Sequence, residues 1–459
     1  MSEATRSFTP IPVLAVEIAG PLPAEELLPP RSSVLFVVTL HGVPMGQVRT
    51  LTEDYLARDD EQRRRWLLGQ FAPGVRAHLL ADGLLAPDAD AKALAALALD
   101  EAAPRPCAPA DAEGGPLVSV VIPTTGRCEQ LPLAVASALA QTYRPLEVVV
   151  VDNRPATGEV RARLGGISDP RLRIVAEPRI GLSHARNCGV AQAQGDVIAF
   201  TDDDAIADPS WVARLAATFQ RSSEVDCVTG LVLPAELRTP EQVWFDSYGA
   251  LRRVYTTTVW TQRPDTAEGH ESLAGLGVRG EGGPAFPFTP GRIGSGNNMA
   301  FRRKSLELIG GFDPALGAGS IAGGGEDLDA FLAVLLSDGV IVHEPAAYVR
   351  HHHRSSPQAL RRQMYLYGSG LSALITKHLV TSAGARSKLL LRVPAGLHYL
   401  VAPRSAKNAG RAQGYPSHLR WHEWAGLLSG PWRYAAGALA ARLRARGSAP
   451  VHPRAQVRA

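Results

Sequence analysis

Cysteine is scarce in this sequence. The four present, Cys107, Cys128, Cys188 and Cys227, form no C-x-x-C pair and no metal-like spacing. This excludes a disulfide framework or a thiolate zinc site as the organising device, and a reducing compartment is expected. Long apolar runs are missing too, since no stretch reaches the roughly 18 residues that argue for a bilayer-crossing helix. The opening Met1-Ser2-Glu3-Ala4-Thr5-Arg6 has no basic segment leading into an apolar one, so no signal peptide is expected. Acid is almost absent from one end: Thr381 to Ala459 hold 13 Lys and Arg against a single Glu423, although the whole chain is only +4. Such a basic segment suits an anionic membrane leaflet, nucleic acid, or plain solvation in an arginine-rich sequence.

What is present is ordinary for a globular protein of two or three domains: 459 residues, 45% hydrophobic and 20% charged. Strand-like runs at Pro12–Ile18 and Val34–Leu40, then a helical stretch from Glu53 to Ala81, predict a small α+β domain over residues 1–105. No chemistry can be named within it. The proline-rich stretch from Ala102 to Gly115 reads as a linker.

Beyond it the pattern changes to buried-type strands alternating with helices. Leu117–Thr124, Leu146–Asp152, Leu172–Val175 and Val197–Thr201 are short apolar runs, separated by helical stretches at Leu131–Gln141 and Leu182–Gln194. This succession predicts right-handed βαβ units and a mainly parallel sheet. The last run stops at three carboxylates, Asp202, Asp203 and Asp204. Ligands of open α/β sheets bind at the C-terminal strand ends, so Thr124, Asp152 and the three aspartates are expected on one rim. Adjacent carboxylates repel unless a cation neutralises them, and hard divalent ions take carboxylate oxygens together with substrate phosphates.

Five segments in order, Val120–Thr124, Val150–Asn153, Ala185–Gly189, Thr201–Asp204 and Gly325–Asp329, resemble the inverting family 2 glycosyltransferases of the GT-A fold. The resemblance covers residues 117–353, about half the chain. It implies a Rossmann-like, mainly parallel catalytic domain at residues 116–355, with a helical, basic C-terminal region at 356–459. The implied reaction moves a sugar from a nucleoside-diphosphate-sugar donor to the hydroxyl of a glycan, lipid-linked or small-molecule acceptor, with Mn²⁺ or Mg²⁺ as cofactor, as in cell-envelope glycan synthesis. Two further readings are a sugar-phosphate nucleotidyltransferase and a degenerate, non-catalytic transferase-like module.

The resemblance also assigns residues. Pro123, Thr124, Asp152, Arg186, Asp202 and Asp203 would bind the nucleotide-sugar. Asp152 would accept from a base N–H, while Asn153 stands where a second acid is frequent. Arg186 would pair with diphosphate or brace the acidic strand end. Asp204 and Asp202 would touch the metal, and a histidine, His353, would approach it; on strand alternation His351 shares its face. Asn297 and Glu326 would lie on the acceptor side, within and after the Gly294–Phe301 segment. Asp327 would be the base, because a sugar hydroxyl titrates far above neutral pH and needs a carboxylate within hydrogen-bond reach. Glu326 would cap the helix that starts there. The Gly- and Pro-rich segment 261–290 is expected to be a long loop that closes over the donor.

After Val340–Glu344, expected as a late strand, helices are expected at Gln358–Leu379 and around Lys388–Pro403, followed by Trp421, Trp424, Trp432 and Tyr434 among arginines. This combination fits peripheral contact with a membrane, or packing on the catalytic domain. The expected location is cytoplasmic, extending to the inner face of the cell membrane, with no nucleic-acid partner.

Overall fold

A computed structural model describes residues 8–103, 114–248, 253–263, 273, 275–402, 405, 407–408 and 415–447. The expected linker and the tail after Gly447 fall largely or wholly outside these residues, as does much of the 261–290 segment.

The N-terminal unit holds strands β1 (Val13–Glu17), β2 (Ser33–Leu40) and β3 (Val43–Leu51), then helices α1 (Thr52–Leu56), α2 (Asp60–Ala81) and α3 (Ala91–Ala98). β1 runs parallel to β2, and β3 pairs back antiparallel. The helical stretch from Glu53 to Ala81 is therefore two helices. They part at Asp59, whose carboxylate accepts from Gln62 N while the Gln62 amide reaches back, a capping box that starts α2. β3 was not foreseen, because Pro44 and Gly46 interrupt its apolar pattern.

The central unit is a 10-stranded sheet with the order β11-β10-β13-β9-β12-β7-β4-β5-β6, plus β8 paired on β13. Its strands are β4 (Val118–Thr124), β5 (Leu146–Asp152), β6 (Leu172–Ala176), β7 (Val197–Thr201), β8 (Ala205–Ala207), β9 (Val225–Pro234), β10 (Thr258–Trp260), β11 (Val278–Arg279), β12 (Asn298–Arg302) and β13 (Val340–His351). The half β6-β5-β4-β7 is parallel as expected, with Thr124 in register with Asp152. Every residue of β4, β5 and β7 is buried. Helices cover both faces, and so these strands read as continuous apolar runs instead of alternating ones.

Helices α4 (Leu131–Leu139), α5 (Glu159–Leu164), α6 (Leu182–Gln192), α7 (Trp211–Arg221), α8 (Pro240–Asp246), α9 (Arg303–Ile309) and α10 (Glu326–Leu336) belong to this unit. Gly189 lets α6 sit directly on the sheet, for a Cβ there would lie 2.3 Å from Val121 Cγ1. β12 inserts antiparallel between β7 and β9. Its Asn298 is fully buried, accepts from Trp211 Nε1 (2.8 Å) and donates to Leu231 O and Ala347 O (2.9 and 2.8 Å). One side chain thus joins β12 to β9, β13 and α7, with its own amide oxygen and nitrogen both paired.

Helices α11 (Pro357–Thr381), α12 (Ala383–Val401) and α13 (Ser417–Gly447) follow. Glycines let α11 and α13 meet backbone to backbone: a Cβ on Gly368 would lie 2.0 Å from Glu423 O, and one on Gly426 2.0 Å from Tyr365 O. The N-terminal sheet docks on the opposite side, where Val37 packs with Leu231, Leu233 and Tyr348.

Candidate active site

The acidic strand end is shaped by the strands that flank it. β8 returns against the end of β13 with Ala205 opposite His351. This pairing brings His351 Nε2 to 3.2 Å from Asp204 Oδ1, and Arg354 reaches the other oxygen at 3.4 Å. Burial pushes the Asp204 carboxyl up, but His351 and Arg354 outweigh it and hold the group at about 2. His351 is raised in turn: burial opposes its charge, yet Asp204 prevails.

Asp203 turns the other way and accepts from the Thr124 hydroxyl at the end of β4. Burial, helped by the Asp204 charge, pushes it up to about 7. Asp202 sits deep among protein atoms but keeps 33% of its side chain open. Burial raises its carboxyl, Arg186 opposes this, and Asp204 adds to the rise.

Arg186 is 1% exposed and lies on α6. Its guanidinium donates to Glu326 Oε1 at 2.8 Å and to Gly296 O at 2.9 Å, lies 3.4 Å from Asp202 Oδ1, and packs over the Phe312 ring. Of the two roles open for it, bracing matches this geometry. Glu326 does not cap α10, as the sequence pattern suggested. Arg186 draws its carboxylate into the protein instead, and Gly325 at φ +89° turns the chain into the helix without a side-chain cap. Burial and then the Asp327 charge push Glu326 up, against Arg186.

Asp327 stands in the first turn of α10. Its Oδ2 accepts from Gly296 N and its Oδ1 from Leu328 N, both at 2.8 Å. Gly296 is needed here, since a Cβ would lie 2.7 Å from the Arg186 guanidinium and 3.0 Å from Asp327. Beside it Asn297 is buried, and its Oδ1 has no hydrogen-bond partner among the described residues.

Asp202, Arg186, Asn297, Glu326 and Asp327, with His351 and Arg354, line one cavity of about 750 Å³. Pro123, Thr124, Asp152, Asp203 and Asp204 do not line it. They gather at the ends of β4, β5 and β7, where all but Asp203 are buried and Arg154 N donates to Asp152 Oδ1 (2.9 Å). Asn153 faces inward, donating to Glu177 O and Arg179 O and accepting from Gly181 N, so it ties loops together.

His353 is not at the carboxylates. β13 runs on to His351, so His351 meets Asp204, while His353 lies behind it, 3.0 Å from His351 Nδ1 and 3.3 Å from Asp246. Burial, despite Asp246, lowers the His353 imidazole to about 4. Strand alternation correctly put the two rings on one side. The pairing with β8, invisible in the sequence, decided which one reaches Asp204. Arg354 was not foreseen either, because nothing in His351–Arg354 distinguishes an exposed arginine from a partner of the cluster.

Could these residues hold a divalent ion? Asp204 Oδ1 and His351 Nε2 face each other at 3.2 Å, and the exposed Arg354 lies 3.4 Å from the other Asp204 oxygen. Asp202, Asp204 and His351 do not converge into a closed cage. Among the described residues only His41, His78 and Asp82 of the N-terminal unit bring three such ligand atoms within 4.8 Å. An open edge fits an ion that takes one or two carboxylates and completes its shell with substrate phosphates.

Residues 119–309 match the family described as Glycosyl transferase family 2. The glucosyl-dolichyl phosphate glucuronosyltransferase of Haloferax volcanii is 33% identical over 205 residues, 44% of this chain and 57% of that protein. The pre-mycofactocin glycosyltransferase of Mycobacterium tuberculosis is 26% identical over 355 residues, 74% of this chain and 66% of that one. The chain thus spans between half and just under two thirds of these curated relatives' length. A solved mannosyltransferase from Pyrobaculum calidifontis, in complex with GDP-Man and Mn²⁺, is similar at 19% identity over 73% of this chain and 81% of that chain, with a TM-score of 0.42.

Proposed function

We propose that this chain, whose residues 119–309 match glycosyl transferase family 2, moves a sugar from a nucleoside-diphosphate-sugar to an acceptor hydroxyl with inversion and with a divalent cation. The observation that carries the reading is Asp327, a carboxylate at the cavity wall with both oxygens oriented by backbone N–H groups from α10 and from Gly296. A carboxylate so held is fixed in orientation and keeps lone pairs free to accept a hydroxyl proton.

The division of labour follows these two groups of residues. Thr124 and Asp152, with Asp203, take the nucleoside side of the donor; Asp152 accepts from the base. Asp202, Asp204 and His351 would hold a Mn²⁺ or Mg²⁺ ion, which neutralises charge on the departing diphosphate. Arg186 keeps Asp202, Gly296 and Glu326 in register. In the cavity, Asp327 removes the acceptor proton as its oxygen attacks the anomeric carbon and the bond to phosphate breaks, the diphosphate leaving with the electron pair. A single displacement inverts the centre.

A nucleotidyltransferase would need backbone N–H groups after β4 free for phosphate. Here Gly126 N donates to Thr124 Oγ1, and Cys128 Sγ donates to Asp203 O. The domain boundaries, 1–105, 116–355 and 356–459, are retained as part of this proposal.

A panel of nucleotide-sugars with Mn²⁺ or Mg²⁺ tests it. One donor is expected to raise Tm in a metal-dependent way and to be slowly hydrolysed; no response to any donor contradicts the reading.

A further inference from the structure

Asp327 stands at one end of a cavity whose other walls are largely hydrocarbon. Away from the carboxylates the lining passes to Phe288, Leu371, Ile375, Leu389, Leu397 and Leu400, contributed by the segment before β12 and by α11 and α12. Phe245, Tyr248 and Leu427 extend it toward α8 and α13. A site built for a free sugar or polysaccharide is lined with hydroxyls, amides and carboxylates that match its hydroxyl groups. At about 750 Å³ this cavity is far larger than one monosaccharide needs, and its extra length is apolar.

The apolar lining also reaches the outside. Leu397 and Val393 line the cavity and are 54% and 44% exposed. Next to lining residues in the chain, Leu391 and Leu428 are 81% and 76% exposed. α12 and α13 leave an apolar fringe around an apolar mouth, the kind of surface that a monomeric soluble protein rarely exposes without a partner. Cations also line the cavity. Arg354 and Arg362 both line the cavity and are exposed, and Arg362 has no ion pair among the described residues.

We propose that the acceptor is an amphiphile: a hydroxyl-bearing head at Asp327 and a long alkyl or prenyl tail that runs between α11 and α12 and leaves at the α12–α13 fringe. The inference rests on the transferase reading for the role of Asp327. The tail site itself rests on the cavity and the fringe. Burial of each methylene along the walls strengthens binding about fourfold, so affinity reports the tail independently of any sugar transfer.

The test is calorimetric binding of hexyl, octyl and decyl β-D-glucoside below their micellar concentrations to the full chain. In parallel, hydrolysis of the responsive nucleotide-sugar is followed without acceptor. Affinity is expected to rise roughly fifteenfold from hexyl to octyl and again to decyl. Leu397→Glu puts a charge at the mouth on a position that is 54% exposed, and is expected to flatten the series. Equal affinity for all three glucosides, a plateau at hexyl, or an unaltered series in Leu397→Glu overturns the amphiphile. If the glucosides show no chain-length dependence while donor hydrolysis proceeds, the tail site fails and the transferase reading stands. If hydrolysis is absent while the series rises, the tail site stands and the transferase reading fails.

Discussion

At the scale of single residues, the site depends on one buried guanidinium. Arg186 touches an acid from the β7 end, an acid from α10 and a carbonyl from the segment before β12, three parts of the chain far apart in sequence. Truncating it leaves Glu326 buried and unpartnered, and removing one member of a buried pair costs about 3–5 kcal/mol. Arg186→Ala is therefore expected to lose stability on that order in urea denaturation. Glu326→Gln should lose far less, because burial already pushes the Glu326 carboxyl upward and a neutral amide can still accept from Arg186. Equal losses in the two variants would remove Arg186 from this role. Residue types at this site were legible where a motif carried them, as with Asp327 and the three aspartates. His351 and Glu326 were misjudged because what they do is set by partners more than 100 residues away in sequence, β8 and Arg186.

At the scale of elements, the parallel strands could be read from their apolar runs, since each is buried on both faces. β9 and β12 could not: β9 contains Asp226, Thr229 and Gly230, and β12 opens on a polar Asn298 that is satisfied only by tertiary partners. How the C-terminal helices attach was equally hidden. Asp329 of α10, 4% exposed, is gripped by Lys377 (2.6 Å) and His378 (3.0 Å) of α11, and this locks the helix carrying Asp327 onto the helix walling the cavity. Burial raises the Asp329 carboxyl, but His378 and Lys377 outweigh it and hold it below its ordinary range. A depressed folded value means that this contribution is fully present above the unfolded carboxyl range, about pH 4, and is lost as pH falls through the lower folded value. Stability measured by denaturant between pH 7 and pH 2 should therefore drop in the acid limb. Asp329→Asn should lower the neutral plateau by about 3 kcal/mol and remove part of that drop. An acid limb unchanged by the substitution would show that the grip contributes nothing.

At the scale of the whole molecule, the central sheet sets two half-sites against one another. One lies along the ends of β4, β5 and β7, where Thr124, Asp152 and Asp203 line up. The other is closed by α10, α11 and α12 around Asp327. In the basic C-terminal region α11 and α13 pack on the rest of the chain: α11 carries Lys377 and His378 against Asp329, and α13 lies along α11. Among the described residues no helix is long and apolar enough to cross a membrane.

Because the half-sites use different parts of the chain, they should fail separately. Replacing Asp327 by Asn keeps the side chain's size and its place on α10, removes the group proposed to take the acceptor proton, and gives up one of its two backbone N–H bonds. The measurement is the transfer rate of Asp327→Asn beside its affinity for the nucleoside diphosphate with Mn²⁺. The account predicts a rate loss of about 10²–10⁴-fold with nucleotide affinity changed by less than about threefold. Transfer at the wild-type rate in that variant would contradict it.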